Sequence, residues 1–389
     1  MSDLLFDLRP EFSPQEFEDF MLKLSEAGVS DIHIDTEKAV YVRLHDKQFK
    51  VTKRKLLLSE VQSIAFWVYG GNAIAELAGG GRLNKRYEIM RENVGTQLIE
   101  RTYFRFNAVS CRTKQGGGGI SMTFRTIPVK IPDLDSHYMR LHPRLLESLK
   151  ATNDGLTLVV GATGQGKTSL MAAWNHYKFK SLRDRKLVTA EAPVEYNLQP
   201  LHDMYPDSTN LISQREIARG ADMETFYQFI VEALRQGPTD IFIGESRDEE
   251  TIRGTLHAAE SGHATVTTIH ADAVDTALLR MANEFPPQYM AQIIFKLCSQ
   301  LRLVVVQRLL RPAKPGPRVP VREWLEFDDE FRSSLLRIPP MEAIASIGER
   351  VRSLGQSFSQ QTRLAYEEGL ITEEEFMNVA RHEALRGGV

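Results

Sequence analysis

Gly161-Ala162-Thr163-Gly164-Gln165-Gly166-Lys167-Thr168 is the stretch that decides the fold of this 389-residue chain. It has the form G-x-x-x-x-G-K-[ST], a phosphate-binding loop. Leu156-Thr157-Leu158-Val159-Val160 before it is a short apolar, β-branched run of the kind that forms a buried strand. Ser169-Leu170-Met171-Ala172-Ala173-Trp174 after it continues as a helix. Glycines let the backbone curl so that successive N–H groups point at a β-phosphate, and the helix adds its positive N-terminal end. Lys167 reaches β- and γ-phosphate oxygens, and the Thr168 hydroxyl can ligate Mg²⁺. Gly161 to Thr168, with Ser169, are thus the candidate contacts for ATP and Mg²⁺.

Outward from this loop, apolar strand runs alternate with helices: Leu156–Val160, Lys186–Thr189, Asp240–Gly244, Ala264–Ile269 and Leu301–Val306. That alternation predicts a mostly parallel sheet flanked by helices, an α/β domain over residues 141–389. Arg311–Pro320, rich in proline and basic residues, reads as an exposed loop. The rest reads as helical: Met341–Leu354, Ser357–Glu368, and a last helix opened by the capping box Thr372-Glu373-Glu374-Glu375.

The first 126 residues read differently. Ser13-Pro14-Gln15-Glu16 is a capping box with proline at the first helical position, and Phe17, Phe20, Met21 and Leu24 follow at helical spacing up to Gly28. Short strand-like runs follow at Asp31–Asp35, Val40–Leu44 and Gln48–Val51, then a helix over Ser59–Tyr69. Strands are predicted over Gln97–Asn107 and Gly119–Thr126, joined by a glycine-rich turn. This is a smaller α+β module. Residues 127–140, which begin Ile127-Pro128-Val129-Lys130-Ile131-Pro132-Asp133, read as a linker.

Composition narrows the function. Hydrophobic residues make up 42% of the chain and charged residues 25%, ordinary for a globular protein. The net charge of -3 supplies no global basic field, so no direct nucleic-acid partner is expected. Cys111 and Cys298 are the only cysteines, which fits a reducing cytosol and offers no zinc spacing. No apolar run approaches the roughly 18 residues that span a bilayer. The N-terminus does not read as a signal peptide. The expected location is therefore cytoplasmic, with any membrane role peripheral and through a partner.

Hydrolysis needs more than a phosphate cradle: an acid must orient water, and cations must neutralise developing charge. Glu245 closes the strand that begins at Asp240, and such a position lies beside the phosphates in an α/β site. Gly244 precedes it, where some phosphate-loop families place a Mg²⁺-binding acid. Glu191 and Glu195 follow another strand. Arg247 and Asp248 follow Glu245, and His263 and His270 bracket Ala264–Ile269.

With these residues the chain resembles the hexameric secretion ATPases of type II, type IV pilus and type IV secretion systems. Gly161–Thr168 is the Walker A motif. Glu191-Ala192-Pro193-Val194-Glu195-Tyr196 resembles the family's Asp box. Leu234-Arg235-Gln236 through Ile243-Gly244-Glu245-Ser246-Arg247-Asp248 resembles its Walker B segment. Ser261-Gly262-His263 with Thr267-Thr268-Ile269-His270 resembles its His box. Gly28-Val29-Ser30-Asp31-Ile32-His33-Ile34, Phe124-Arg125-Thr126-Ile127-Pro128 and Ile212-Ser213-Gln214-Arg215-Glu216 match further segments. Ala192 departs from the family's usual aspartate, so it cannot help hold Mg²⁺. The Arg112–Ile120 loop and the region from Arg311 also depart from the retraction motors. They lean the resemblance toward the DotB-type ATPases of type IVB secretion and the TraJ-type ATPase of I-type conjugative plasmids.

The resemblance implies a PAS-like N-terminal domain, a RecA-like P-loop ATPase domain, and a homohexamer binding ATP between the two. It implies catalytic roles for Lys167, Glu245 and Glu195, the two acids positioning the attacking water, with Glu191 at the nucleotide. His263 and His270 would sense the γ-phosphate or link subunits. Arg105, Arg112 and Arg125 lie where the family supplies arginines to the phosphates, and the sequence does not say which is used. The implied function is a motor docked on inner-membrane secretion or pilus platform proteins. A type IV pilus retraction ATPase and a RecA-like nucleic-acid translocase are the alternatives.

Overall fold

The computed structural model describes residues 6, 8–44, 47–92, 99–114, 116–128, 130–218, 221–314 and 316–384. The chain divides into two units, Met1–Lys130 and Ile131–Val389.

In the first unit, helix α1 (Pro14–Glu26) starts as the capping box requires: Glu16 N–H donates to Ser13 Oγ at 3.2 Å, and Ser13 N–H to Glu16 Oε2 at 2.8 Å. Strands β1 (Asp31–Asp35), β2 (Tyr41–Leu44) and β3 (Lys47–Lys50), helices α2 (Leu58–Tyr69) and α3 (Ala73–Ala78), and strands β4 (Arg82–Glu92), β5 (Ile99–Arg112) and β6 (Gly118–Ile127) follow. The strands form one antiparallel sheet in the order β3-β2-β1-β6-β5-β4. Side chains alternate across it. Phe104, Phe106, Met122, Phe124 and Ile32 point to a core shared with Phe17, Phe20, Met21 and Leu24 of α1. Each fully buried phenylalanine there is worth about 1.5–3 kcal/mol. The opposite face carries polar residues. Strand β4 was not expected: its charged residues hide an alternation in which only Leu83 and Ile89 are fully buried. The expected strand from Gln97 exists from Ile99; its first two residues lie outside the described ones.

The second unit is a sheet between two helical layers. It contains α4 (Pro143–Ala151), β7 (Leu156–Val160), α5 (Lys167–Ser181), β8 (Lys186–Glu191), α6 (Leu201–Met204), β9 (Leu211–Glu216), α7 (Phe226–Leu234), β10 (Asp240–Ile243), α8 (Glu249–Glu260), β11 (Ala264–Ile269), α9 (Val274–Ala282), α10 (Met290–Gln300), β12 (Leu301–Leu310), β13 (Val319–Glu326), α11 (Asp329–Leu335), α12 (Pro340–Ser353), α13 (Phe358–Glu367) and α14 (Glu373–Ala384). Strand order is β13-β12-β7-β11-β10-β8-β9, parallel except for β13. Every residue of β7 is buried, with Leu156, Leu158 and Val160 in one core and Val159 in the other.

Two expectations change. Arg311–Pro320 is not all loop: Val319 and Pro320 open β13, which pairs with β12 and closes the sheet edge. Residues 131–140, read as linker, pack on the second unit. His176 Nδ1 lies 2.9 Å from the Pro132 carbonyl, and Arg322 Nη1 donates to the carbonyl of Met139 at 2.7 Å.

Elsewhere two buried ionic features fix helices to strands. Lys178 and Arg185 both pair with the fully buried Asp240 at 2.8 Å. The two cations hold its carboxyl below the usual range although burial opposes this. Glu323 accepts from Val274 N–H at 2.7 Å and from Phe358 N–H at 3.2 Å, so one carboxylate faces the N-termini of α9 and α13.

Candidate nucleotide site

Registers place the candidate residues at one end of the parallel sheet. Val160 pairs with Ile269, and Ile243 with both Thr267 and Ala190. Gly161, His270, Gly244-Glu245 and Glu191 therefore emerge side by side at the C-terminal ends of β7, β11, β10 and β8, where α/β folds build ligand sites.

Backbone chemistry shapes the loop. Gly161 N–H donates to the Ile269 carbonyl at 3.2 Å. Gly161, Gly164 and Gly166 have φ of +148°, +76° and +75°. A Cβ on Gly161 would meet the Gln307 carbonyl oxygen at 2.5 Å, and one on Gly166 would meet Gln307 Nε2 at 2.8 Å. The fixed glycines are thus required both by left-handed backbone and by the strand packed beneath. Gln307 is that strand's contribution: Nε2 donates to the Gln165 carbonyl at 2.6 Å, while Leu309 N–H donates to Gln165 Oε1 at 2.6 Å. Gly166 caps α5, so the helix N-terminus opens at Lys167 and Thr168.

Lys167 is buried, and its ammonium donates to the carbonyls of Gly161 at 2.6 Å and Ala162 at 3.0 Å. Burial lowers its pKa, and attraction to Glu245 and Glu195 opposes the fall. His270 feels the same field: burial and Lys167 lower its pKa, and Glu245 raises it. His270 Nε2 lies 3.5 Å from Glu245 Oε1, and Arg247 Nη1 lies 3.9 Å from the other oxygen. Lys167, Glu245, Glu195 and His270 form one electrostatic cluster.

The acids are held from behind. Thr268 Oγ1 donates to the Gly244 carbonyl at 2.5 Å, and Ser246 N–H donates to the Thr268 carbonyl at 3.0 Å. Gly244 is glycine for a steric reason: a Cβ there would stand 2.8 Å from the Ala190 carbonyl oxygen and 3.1 Å from Glu191 Cα. Desolvation pushes the Glu191 carboxyl up to about 7, with Glu195 adding to the rise. Its oxygens accept from Gln214 Nε2 at 3.2 Å and from Glu195 N–H at 3.5 Å. Ser169 Oγ meets Tyr196 OH at 2.8 Å, tying α5 to the segment bearing Glu195. The peptide between Ala192 and Pro193 is cis.

His263 is not brought here. It precedes β11, so the whole strand, roughly 20 Å at about 3.3 Å per residue, separates it from His270. Its Nδ1 lies 3.1 Å from the Ala258 carbonyl. The three arginines belong to the first unit. Arg125 Nε donates to the buried Asp31 at 2.8 Å, and Arg125 stands in register with Asp31 on one side and Arg105 on the other. Arg105 is in turn opposite Arg86. Like charges directly opposite repel, so this exposed row carries positive charge that Asp31 only partly offsets. Arg112 lies at the end of β5 and donates to the Gly116 carbonyl at 3.2 Å.

The sequence reading gave no role to Gln307, Gln214, Ser246 or Thr268, although the last three lie within the matched family segments. For Gln307 there was a signal: an amide directly after the apolar run Leu303–Val306.

A family described as "Type II/IV secretion system protein" matches residues 119–362. The Legionella pneumophila ATPase DotB, known from an X-ray structure, is 31% identical, with a TM-score of 0.85 covering 97% of this chain and 98% of that one. The type IV pilus ATPase PilU of Pseudomonas aeruginosa is 28% identical over 362 residues, 92% of this chain and 87% of its own length. The crystal structure of the pilus retraction motor PilT with bound ADP is 26% identical, with a TM-score of 0.72 covering 93% and 96% of the two chains.

Proposed function

This chain belongs to the type II/IV secretion system protein family, and from that premise we propose that it is an ATP-hydrolysing motor for a type IVB-type secretion or conjugative transfer apparatus. The observation that carries the reading is the cluster of Lys167, Glu245, Glu195 and His270 at the mouth of the glycine loop. The residues present fit ATP with Mg²⁺. The loop amides and the α5 N-terminus suit phosphate, Lys167 is a buried cation, and Thr168 stands in the first helical turn. Thr168 would hold Mg²⁺, which when bound would offset charge on the phosphates.

In this reading Lys167 exchanges its carbonyl contacts for phosphate oxygens. Glu245, 3.5 Å from His270, orients the attacking water, with Glu195 as the other candidate for that role. Arg125 and Arg105 offer the cations of the first unit. The chain acts as a homohexamer on a secretion or pilus platform at the inner membrane. No helix among the described residues is long and apolar enough to cross a membrane. The match to DotB supports the type IVB assignment. The match to PilU over most of both chains favours a second reading, pilus retraction.

Two variants test the chemistry. Lys167→Ala should lose ATP binding and turnover together, because a charge at the phosphates disappears. Glu245→Gln should bind ATP yet turn over at least about a hundredfold more slowly, since an amide no longer accepts water's protons from both oxygens. Wild-type turnover by a folded Lys167→Ala chain would sink the nucleotide site. Deleting the gene separates the two machines: loss of conjugation or protein export supports the first reading, and loss of twitching alone supports the second.

A further inference from the structure

Arg322 is buried on β13, and its hydrogen-bond acceptors are all neutral. Nε donates to Gln307 Oε1 at 2.7 Å, and Nη1 donates to the carbonyls of Met139 at 2.7 Å and Arg140 at 3.1 Å. Burial, with the Arg140 charge nearby, disfavours its charged form. An apolar pair would fill a purely structural position at lower cost. Gln307 is its cross-strand partner on β12, and the same amide donates to the Gln165 carbonyl inside the phosphate loop. The chain of contacts is short and continuous: loop backbone, Gln307 amide, Arg322 guanidinium, backbone of residues 139–140.

The segment so reached is the one that directly follows the first unit. Its far end is held by the loop's own helix. His176 Nδ1 donates to the Pro132 carbonyl, leaving Nε2 to accept from Tyr205 OH at 2.8 Å, and Lys180 pairs with Asp133 at 3.2 Å. Arg140 sits at φ +44°, a left-handed conformation uncommon outside glycine. A cleft of about 250 Å³, walled in part by Arg140, His142, Arg322 and Trp324, adjoins it and leaves room for displacement.

We infer that Gln307 and Arg322 are positioning residues that tie the phosphate loop to segment 131–140, so that a change in the loop on nucleotide binding is passed to the chain entering the second unit. This rests on the nucleotide site proposed above. The relay works through geometry: Gln165 O, Gln307 and Arg322 have no slack, each link being 2.6–2.7 Å. A shift of the loop backbone must either break a buried bond or move the carbonyls at the far end.

The test uses the full chain and follows amide hydrogen exchange in residues 131–142 with and without a non-hydrolysable ATP analogue, beside analogue affinity and thermal melting. In wild type the analogue should change exchange at residues 136–140 about tenfold. Arg322→Lys separates a structural role from a relaying one. A lysine ammonium can still hold the Met139 and Arg140 carbonyls but cannot also donate to Gln307. It should keep the melting temperature and bind the analogue within about threefold of wild type, while its exchange response falls below about twofold. Gln307→Leu should abolish the response by removing the other link while leaving the carbonyl bonds of Arg322 intact. A full response in both variants would overturn the relay, as would analogue binding by wild type with no change in the segment. Failure of the wild type to bind the analogue would overturn the nucleotide site, and the relay with it.

Discussion

Replacing Gly244 with alanine puts the geometry of the two acidic strand ends to a direct test. The added methyl would lie 2.8 Å from the Ala190 carbonyl oxygen, 3.1 Å from Glu191 Cα and 3.3 Å from the Phe226 ring. Comfortable contact begins at about 3.5 Å, so β8 and β10 must separate by roughly 0.7 Å. Two of the three obstacles are backbone and the third is an aromatic ring, and Gly244 N–H is itself bonded to that carbonyl at 2.7 Å. Overpacking of this kind costs about 1–3 kcal/mol, or a fall in melting temperature of about 2–10 °C for a domain of this size. The displaced atoms carry Glu245 on one strand and Glu191 with Glu195 beyond the other. A 1 Å error at a reacting centre is worth about a hundredfold in rate, so turnover should drop about ten- to hundredfold with ATP affinity less affected. Steady-state ATPase rates and a thermal melt measure both effects. Gly71→Ala, whose added methyl meets nothing, serves as the control. A Gly244→Ala chain with wild-type turnover and melting temperature would refute the steric reason for glycine before Glu245.

Other outcomes follow from charges on the page. The Glu191 carboxyl titrates at about 7 when folded, above its ordinary 4.5. The folded chain therefore binds the extra proton, and this contribution is complete below pH 4.5 and lost as pH rises through 7. Glu191→Gln should flatten stability over that window and stabilise the chain at pH 8 by roughly 1–3 kcal/mol; denaturant melts at both ends check it, and an unchanged slope would count against a desolvated Glu191. Arg125→Ala should lower both turnover and the stability of the first unit, by about 1–3 kcal/mol, because the buried Asp31 loses its guanidinium partner. Arg105→Ala should lower turnover without moving the melt. Equal melts for the two variants would contradict the Asp31 pairing.

Much of this was readable from residues alone. Gly161–Thr168 gave strand, loop and helix because each of its glycines answers a local backbone need, and β7, β8, β10 and β11 were visible as short runs rich in apolar and β-branched residues. The failures share a cause. Strands β4, β9 and β13 carry charged residues that hide their alternation, and each is a strand because the preceding or following strand lies beside it: β5, β8 and β12 respectively, although Arg322 and Glu323 are the middle residues of β13. His263 and His270 were read as bracketing one strand, and β11 accordingly holds them at its two ends, with His270 at the glycine loop. Residues 127–140 read as linker because Pro128 and Pro132 break any periodicity, yet residues 131–140 are anchored by His176, Lys180 and Arg322, side chains far along the chain.

Strand β7 has one more implication, for synthesis. It pairs on one side with β11 and on the other with β12, neither adjacent in sequence. The first unit, by contrast, is complete by Lys130 and takes most of its pairing from neighbouring strands. A ribosome delivers β11 and β12 about 100 and 140 residues after Val160, roughly 5–30 seconds later at 5–20 residues per second. Until β11 emerges the nascent chain carries, with both edges open, a strand that the finished fold buries completely, and until β12 emerges one edge stays open, the configuration most prone to pair with another chain. The nucleotide loop hangs from that strand, so a polypeptide that terminates before Leu301 exposes an aggregation template rather than a weaker enzyme. Overproduction losses should therefore concentrate in chains truncated between Val160 and Leu301.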